Sequence, residues 1–482
     1  MKLLYDPADN ETFWKAIARI PGFPGMQMVG APPRMIYEEG ALFRLPKMIQ
    51  ECGGEKDRHL LVVMDSTPML RGGESLKTTL VKTLQDAGWQ VRVLLLEPDS
   101  GGQVHTEMKR IEGVRSRLEA GMSALSVGSG TVTDITKHAC FLFEQQTGVH
   151  LPFIAFPTAN SVSAYTSNMA PMDIDGVKRT LPSRLPDGLV YDLETLCDAP
   201  HAMTVAGVGD LLALYTGYAD WYLAYRLGMD ESYNEFPLQL LGPVDDILTW
   251  CATEILHPSP AGMSILAKLI SLAGLGLSFC LATTPLSGYE HVISHTLDLI
   301  NTCKRQPLSL HGSQVALSVV LLSAAYRIFL EEFEPAVVEI ANCFPQPGEM
   351  QAAIQGIFGP LDPTGQVGAE CWSDYQVKLD KWNHNQMKLR YFLTDWEEIK
   401  SELLELTRPP ELMMEILRAV GSPLWFDELQ PPLTKEQVKF AFLNSPFIRK
   451  RLTSGDLYFL LDWDREALWE RIWGEAQALA IL

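Results

Sequence analysis

Up to about residue 157 the chain alternates short apolar runs with segments of helical period. The run His59-Leu-Leu-Val-Val-Met-Asp65 is apolar between its ends, as expected of a strand covered on both faces. Residues 73–87 repeat apolar positions at helical spacing, and 89–97 form a second strand-like run. A charged helix is expected over 104–120, a third strand over 123–127, a helix over 132–146 and a fourth strand over 152–156. Residues 26–30 read as a short strand, 41–52 as a helix, and 189–192 as a short strand closing a turn-rich stretch. Strands alternating with helices predict βαβ units and a parallel sheet. From residue 201 the pattern changes. Long apolar helical periods run over 211–227, 240–256, 264–283, 292–301 and 315–333, and nothing there alternates like a strand. The expected organisation is an α/β domain over 1–198 and an all-helical domain over 199–482. Residues 1–25 read as a polar, proline-punctuated arm.

Composition narrows the class. A chain of 482 residues can hold two or three domains with cores of their own. Its net charge of −20 argues against nucleic-acid or anionic-membrane partners, which require a basic surface. The eight cysteines are scattered without a Cys-x-x-Cys, as in reduced thiols of a cytosolic protein. The N-terminus carries no signal-peptide pattern. The most apolar run, residues 269–284, has 16 uncharged residues. A membrane span needs ~20, so this run is expected as a buried helix.

Candidate chemistry clusters in a few places. Asp210 follows a Gly-x-Gly and opens an apolar helical run. His291 and His295 are four apart and share a helix face, and His311-Gly opens a third helix. One carboxylate and two imidazoles could meet on one divalent cation and leave positions open for substrate. Each is also a residue type that commonly caps a helix. Gly128-Ser129-Gly130-Thr131 lies between a buried strand and a helix start, where backbone N–H groups can receive a pyrophosphate or simply form a tight turn. Asp65, at a strand end, could accept from a ribose 2′-hydroxyl or be a solvated turn acid. The hydroxyl-rich segment from Phe156 to Ser167 could touch cofactor and substrate, or serve as a hydrogen-bonded loop.

Taken together, these pieces resemble the sn-glycerol-1-phosphate dehydrogenase family. It sits in the dehydroquinate-synthase-like group with glycerol dehydrogenase and iron-dependent alcohol dehydrogenases. The matching residues are Val127-Gly-Ser-Gly-Thr-Val-Thr-Asp134-Ile-Thr-Lys137, Pro157-Thr-Ala, Tyr165-Thr-Ser167, Asp175-Gly-Val-Lys178, Asp198-Ala-Pro200 and Ala206-Gly-Val-Gly-Asp210-Leu-Leu-Ala. Further matches are Asp220-Trp221, Ser287-Gly-Tyr-Glu-His291-Val-Ile-Ser-His295, His311-Gly312 and Pro446-Phe-Ile-Arg449-Lys-Arg-Leu-Thr453. In order along the chain they span roughly residues 28–465.

The resemblance implies an N-terminal Rossmann-like nucleotide-binding domain and a C-terminal helical metal-binding domain. Asp210, His291 and His311 would hold zinc, or iron or nickel in its place, with His295 near the substrate as a proton relay. Gly128, Ser129, Gly130 and Thr131 would hold the pyrophosphate of NAD or NADP, with Asp65, Asp134, Thr158 and Ser161 around the cofactor. Ser163, Tyr165 and Ser167 would line the substrate, and Lys178 would contact its anionic group. A cytoplasmic homodimer or larger oligomer is implied. The chain departs from the family at three usually charged positions, which here are Ser163, Leu214 and Ser313. The implied activity is metal-dependent, NAD(P)-linked interconversion of a polyol phosphate and its ketone. The alternatives are an unphosphorylated alcohol or ketone as substrate, or a non-catalytic binding protein that keeps the fold.

Overall fold

The computed structural model describes residues 3–55, 57–99, 102–174 and 177–481. The chain forms two compact units, one of residues 1–211 with 235–282 and one of 212–234 with 283–482.

The first unit is built on a sheet. Its strands, in chain order, are β1 (Arg34–Glu38), β2 (His59–Asp65), β3 (Leu70–Arg71), β4 (Glu74–Ser75), β5 (Gln90–Leu96), β6 (Ser123–Gly128), β7 (Phe153–Pro157), β8 (Met169–Ile174), β9 (Val177–Pro182) and β10 (Gly188–Asp192). Six of them form an all-parallel sheet in the order β1-β10-β7-β6-β2-β5. Both β6 and β7 are buried at every position, as a sheet covered on two faces requires. One face packs Leu45, Met48, Leu76, Leu80 and Leu84 of two short helices against Val62, Leu125, Ile154 and Val190. The helix Gly130–Thr147 lies against β6 and β7, with Met108–Arg115 beside it. Register matters for function. Met64 pairs with Val127, and Gly128 with Pro157. Asp65, Gly128 and Thr158 therefore come to the same carboxyl edge of the sheet, the edge at which open parallel sheets bind ligands.

Several expectations need correction. Residues 26–30 are not a strand. Met26–Met28 is a 3₁₀ turn, closed by the Met28 and Val29 amides donating to Gly25 and Met26 carbonyls. The charged helix expected over 104–120 shrinks to Met108–Arg115, because the chain before it is drawn out alongside Asp173, whose amide donates to the Thr106 carbonyl. The expected helix 41–52 is a 3₁₀ turn followed by Leu45–Glu51. Strand β1 and the antiparallel hairpin β8–β9 had no alternating signature strong enough to predict them.

The last strand ends at Asp192, near the change of period at residue 198. The compact unit nevertheless extends further. The helix Pro260–Cys280 packs on β1, on the 3₁₀ segment Ser163–Thr166 and on the helices Phe236–Leu241 and Val244–Leu256. Its apolar window is 78% buried, as the sequence led one to expect.

The second unit is helical. His311–Glu332 runs through its middle, buried from Gly312 to Leu330 except at Arg327, with a 94% buried apolar window. Tyr289–Cys303, Leu214–Arg226, Pro410–Ala419 and Arg465–Ile481 surround it. Pro347–Phe358 and Gln366–His384 form a neighbouring pair whose core includes Ile354, Phe358, Tyr375 and Leu379, together with Val292 and Leu299.

Candidate active site

Within the second unit, three histidines meet. His291 and His295 stand one turn apart on Tyr289–Cys303, and His311 is the first residue of its helix. Ring centroids are 5.0 Å apart for His291 and His311, 5.5 Å for His295 and His311, and 6.3 Å for His291 and His295. A close contact fixes where the first helix begins. A Cβ on its N-cap Gly288 would fall 2.6 Å from Asp220 Oδ2 and 2.7 Å from Gly217 Cα, so the turn lies directly against the helix Leu214–Arg226. There Asp220 accepts from the Tyr289 and Ser454 amides and from the Tyr326 hydroxyl, at 2.6, 2.8 and 2.5 Å. Burial, and then the nearby Glu290 charge, push its carboxyl up to about 7.

Hydrogen bonds assign the protons of all three imidazoles. His291 Nδ1 lies 2.9 Å from Glu290 Oε1, and a carboxylate only accepts, so Nδ1 carries the proton and Nε2 keeps its lone pair. Glu290 is fully buried. Burial opposes its charge, yet donation from His291, Thr216 and the Gly288 amide holds its carboxyl below the usual range. His311 Nδ1 lies 2.9 Å from Ser294 Oγ. That hydroxyl has one proton and gives it to Gln314 Oε1 at 2.7 Å, so His311 must donate from Nδ1. The Gln314 amide is oriented in turn by Nε2 donating to Asp298 Oδ1 at 3.2 Å. His311 therefore also keeps its lone pair on Nε2. His295 is the opposite case. Arg449 Nη2 donates to its Nδ1 at 2.8 Å, and a guanidinium cannot accept, so the neutral ring carries its proton on Nε2. The trio thus holds two rings with metal-ligand tautomers and one hydrogen-bond donor.

Within the first unit, Asp210 lies on His201–Leu212, and its Oδ2 accepts the Ser163 amide at 3.1 Å. A close approach makes this contact reachable. A Cβ on Gly207 would fall 1.9 Å from the Asn160 carbonyl oxygen, so only glycine lets this helix lie against the loop. Lys137 holds the same loop from the other side. It is fully buried beside Asp134 (2.7 Å), and its ammonium donates to the carbonyls of Ala164, Ser167 and Met169 at 3.0, 3.0 and 2.8 Å. Asp134 pairs with Lys137, three residues on along the helix. Tyr165 is fully buried and donates its hydroxyl to the Ala159 carbonyl, bracing the loop. Ser161 and Ser167 are buried in the same loop, and Thr158 follows β7 with its amide on the Gly128 carbonyl.

Ser129 is the N-cap of Gly130–Thr147 and makes no side-chain capping bond, so this helix opens without a side-chain cap. Gly128, Ser129, Gly130 and Thr131 thus fit an anion at a helix N-terminus. Asp65 is engaged by Lys77 Nζ at 2.9 Å, which offsets its charge. Of the neutral positions, Leu214 is fully buried and Ser313 is 4% exposed. The side chain of Lys178 lies outside the described residues.

Glu290, Ser294, Gln314, Asp298 and Arg449 were not assigned roles from sequence. An acid adjoining a candidate ligand histidine, and Gln314 three positions along the helix from His311, were the available signals.

The comparisons with known proteins agree with this arrangement. Residues 36–200 match the family model described as iron-containing alcohol dehydrogenase. The chain is 28% identical over 408 residues to a glycerol-1-phosphate dehydrogenase [NAD(P)+] of Bacillus subtilis, covering 83% of this chain and 84% of that one. It is 34% identical over 298 residues to the enzyme of the same name from Bacillus velezensis, covering 60% and 72%. Among solved structures, an iron-containing alcohol dehydrogenase from Thermococcus thioreducens superposes with a TM-score of 0.54 at 13% identity, covering 93% and 99% of the two chains, which speaks to the fold. A parallel sheet feeding a glycine-led helix, a clustered histidine trio, and relatives at this identity over most of their length show that the chain belongs to the glycerol-1-phosphate dehydrogenase family of the iron-containing alcohol dehydrogenase group.

Proposed function

We propose that the protein is a metal-dependent, NAD(P)-linked oxidoreductase that interconverts a small polyol phosphate and its ketone, of the sn-glycerol 1-phosphate and dihydroxyacetone phosphate type. Asp210, His291 and His311 are the residues that would hold the divalent metal. The observation that carries this reading is the donor set. The two imidazoles have their Nδ1 protons committed elsewhere, which leaves both Nε2 lone pairs for a metal, and Asp210 is the carboxylate proposed to join them. One carboxylate and two neutral imidazoles suit zinc or iron and leave positions for a substrate oxygen.

The metal would supply Lewis acidity at the substrate oxygen, and the nicotinamide would exchange a hydride with the carbinol carbon. The protein's own residues do the rest. Glu290 and the Ser294–Gln314–Asp298 chain hold the ligand rings in one tautomer and orientation. His295 presents its Nε2–H as a hydrogen-bond donor to the reacting oxygen. Gly128 to Thr131 receive the pyrophosphate. The free thiols of all eight cysteines support work in the cytoplasm, and a homodimer or larger assembly is part of the same reading.

The test is direct. Metal-loaded protein should oxidise NADH or NADPH with dihydroxyacetone phosphate, carry stoichiometric metal by elemental analysis, and lose both in His291→Ala. Protein that holds no metal and binds no nucleotide would overturn the reading in favour of a binding role. A second reading, an unphosphorylated alcohol or ketone as substrate, is favoured by the uncharged Leu214 and Ser313. Stronger turnover of dihydroxyacetone than of its phosphate would select it.

A further inference from the structure

Asp65 ends β2, and β2 pairs directly with β6, whose last residue, Gly128, leads into the turn that fits an anion. Met64 is level with Val127, so Asp65 and Gly128 come next on neighbouring strands, which lie about 4.8 Å apart. The sugar beside a pyrophosphate held at Gly128 to Thr131 falls at such a distance. An acid at this place meets the 2′-hydroxyl of NAD, and its charge repels the 2′-phosphate of NADP.

The charge of Asp65 is met from within the same unit. After β2 the chain makes the short hairpin β3–β4 and returns as the helix Leu76–Asp86, where the Leu76 amide donates to the Met69 carbonyl. Leu76 and Leu80 are fully buried in the core against the sheet, which seats the start of this helix. Lys77 is its second residue. The ammonium donates to Asp65 Oδ1 at 2.9 Å and to the carbonyls of Asp65 and Thr67 at 2.5 and 2.6 Å. These three bonds match the three N–H groups of an ammonium, so the lysine is fixed in place. Both side chains are largely buried, where salt screens a pair less than at the surface. Thr67 adds its amide to Oδ1 at 3.2 Å and its hydroxyl to Oδ2 at 3.1 Å. A carboxylate has about four acceptor positions, so these three donors leave Oδ2 able to take a ribose hydroxyl.

We infer that Lys77 sets the nucleotide preference of this site. By neutralising Asp65 it removes the repulsion that would exclude a 2′-phosphate, so the site admits NADP as well as NAD. Lys77 acts by its charge, through Asp65, since its hydrogen bonds stay on the protein. This rests on the oxidoreductase reading above and deepens it by naming the residue that decides between the two cofactors.

The experiment measures binding of NAD and of NADP by calorimetry, without turnover. The wild type is expected to bind the two within about tenfold of each other. Lys77→Gln keeps a hydrogen-bond donor but not the charge. It should weaken NADP about tenfold or more and change NAD by less than about threefold. Asp65→Asn leaves the lysine charge without its carboxylate, so the ratio should move about tenfold or more the other way, toward NADP. Lys77→Arg keeps the charge and should keep the wild-type ratio. An equal loss of both nucleotides in Lys77→Gln would overturn the inference, because it would mark Lys77 as a brace of the loop only. An unchanged ratio, or a wild type that binds NAD and excludes NADP, would overturn it as well. Turnover separates the two claims. Protein that reduces no ketone yet shows the opposite shifts refutes the oxidoreductase reading and keeps the inference. Protein that reduces dihydroxyacetone phosphate with ratios unmoved by either variant keeps that reading and overturns the inference. Protein that binds neither nucleotide overturns both.

Discussion

Glu290 and His291 are neighbours in sequence, and the carboxylate of one accepts the Nδ1 proton of the other at 2.9 Å. Adjacent residues on a helix normally point about 100° apart, so this bond needs help. The help comes from Thr216 and the Gly288 amide, which draw the Glu290 carboxylate back across the start of the helix at 2.7 and 2.6 Å. Glu290→Gln keeps the size and one acceptor but removes the charge that makes the imidazole a stronger ligand. Metal affinity, measured by competition with a chromogenic chelator, should fall about 10- to 100-fold. An unchanged affinity would show that His291 is oriented by packing alone.

The second ligand ring is held by a longer chain, His311 to Ser294 to Gln314 to Asp298, with protons running in one direction. Ser294→Ala breaks it at the middle and leaves the His311 Nδ1–H and the Gln314 carbonyl without that partner in a buried place. The expected loss is about 1–3 kcal/mol of stability. The metal-binding constant should fall along with it. Ser294→Cys, a weak donor of similar shape, should lie between the two in both measurements.

Metal removal should be felt by the fold as well as by activity. A ligand that binds only the native state stabilises it by about 2.7 kcal/mol at a hundredfold excess over its dissociation constant. Thermal unfolding with and without a chelator should therefore differ by several degrees in the wild type. The difference should vanish in His311→Ala, which lacks a ligand. A wild type indifferent to chelator would argue that no resident metal is present.

Much of this was legible in the sequence, and the reasons differ from piece to piece. The buried strands β2, β6 and β7 announce themselves because a strand covered on both faces is apolar at nearly every position. The edge strand β1 does not, since its two buried residues, Met35 and Tyr37, are set among the charged ends Arg34 and Glu38 in only five residues. The histidines were visible as the His291–His295 spacing on one helix and as His311-Gly opening another. Their orienting partners were not, because Gln314 and Asp298 are polar residues of ordinary helical sequence whose roles exist only once two helices meet. Lys137 was visible as part of a motif, yet its work is to bind backbone carbonyls, which no side-chain pattern records. The helix Pro260–Cys280 was read as buried, but that it would join the sheet-bearing unit depends on contacts about a hundred residues away in sequence.

Lys137 carries the largest expected cost. It is fully buried, its ammonium has three carbonyl acceptors, and Asp134 lies beside it at 2.7 Å. Lys137→Met fills the same volume but takes its cation away from a buried carboxylate and three carbonyls, which should cost about 3–5 kcal/mol in denaturant unfolding. The double variant Lys137→Met, Asp134→Leu removes the stranded charge and should be less destabilised than the single one. If both unfold alike, the pair is not coupled. Because the loop it clamps contributes the Ser163 amide that Asp210 accepts, the single variant should also weaken metal binding.

Asp220 gives a pH signature with a definite sign. Its folded carboxyl titrates near 7, against 3.8 for the ordinary group, because burial and the Glu290 charge disfavour ionisation. Between those two values the folded protein binds a proton that the unfolded chain has already lost. Stability therefore falls as pH rises from about 4 to about 7, and Asp220 contributes no further slope above that. Asp220→Asn removes this term while replacing the carboxyl oxygen that accepts the Tyr289 amide. Its destabilisation relative to wild type, followed by urea midpoints across that range, should be greatest near pH 4 and shrink toward pH 7. A penalty that grows with pH instead would mean that the Tyr289, Ser454 and Tyr326 donors outweigh burial and hold the carboxylate ionised throughout.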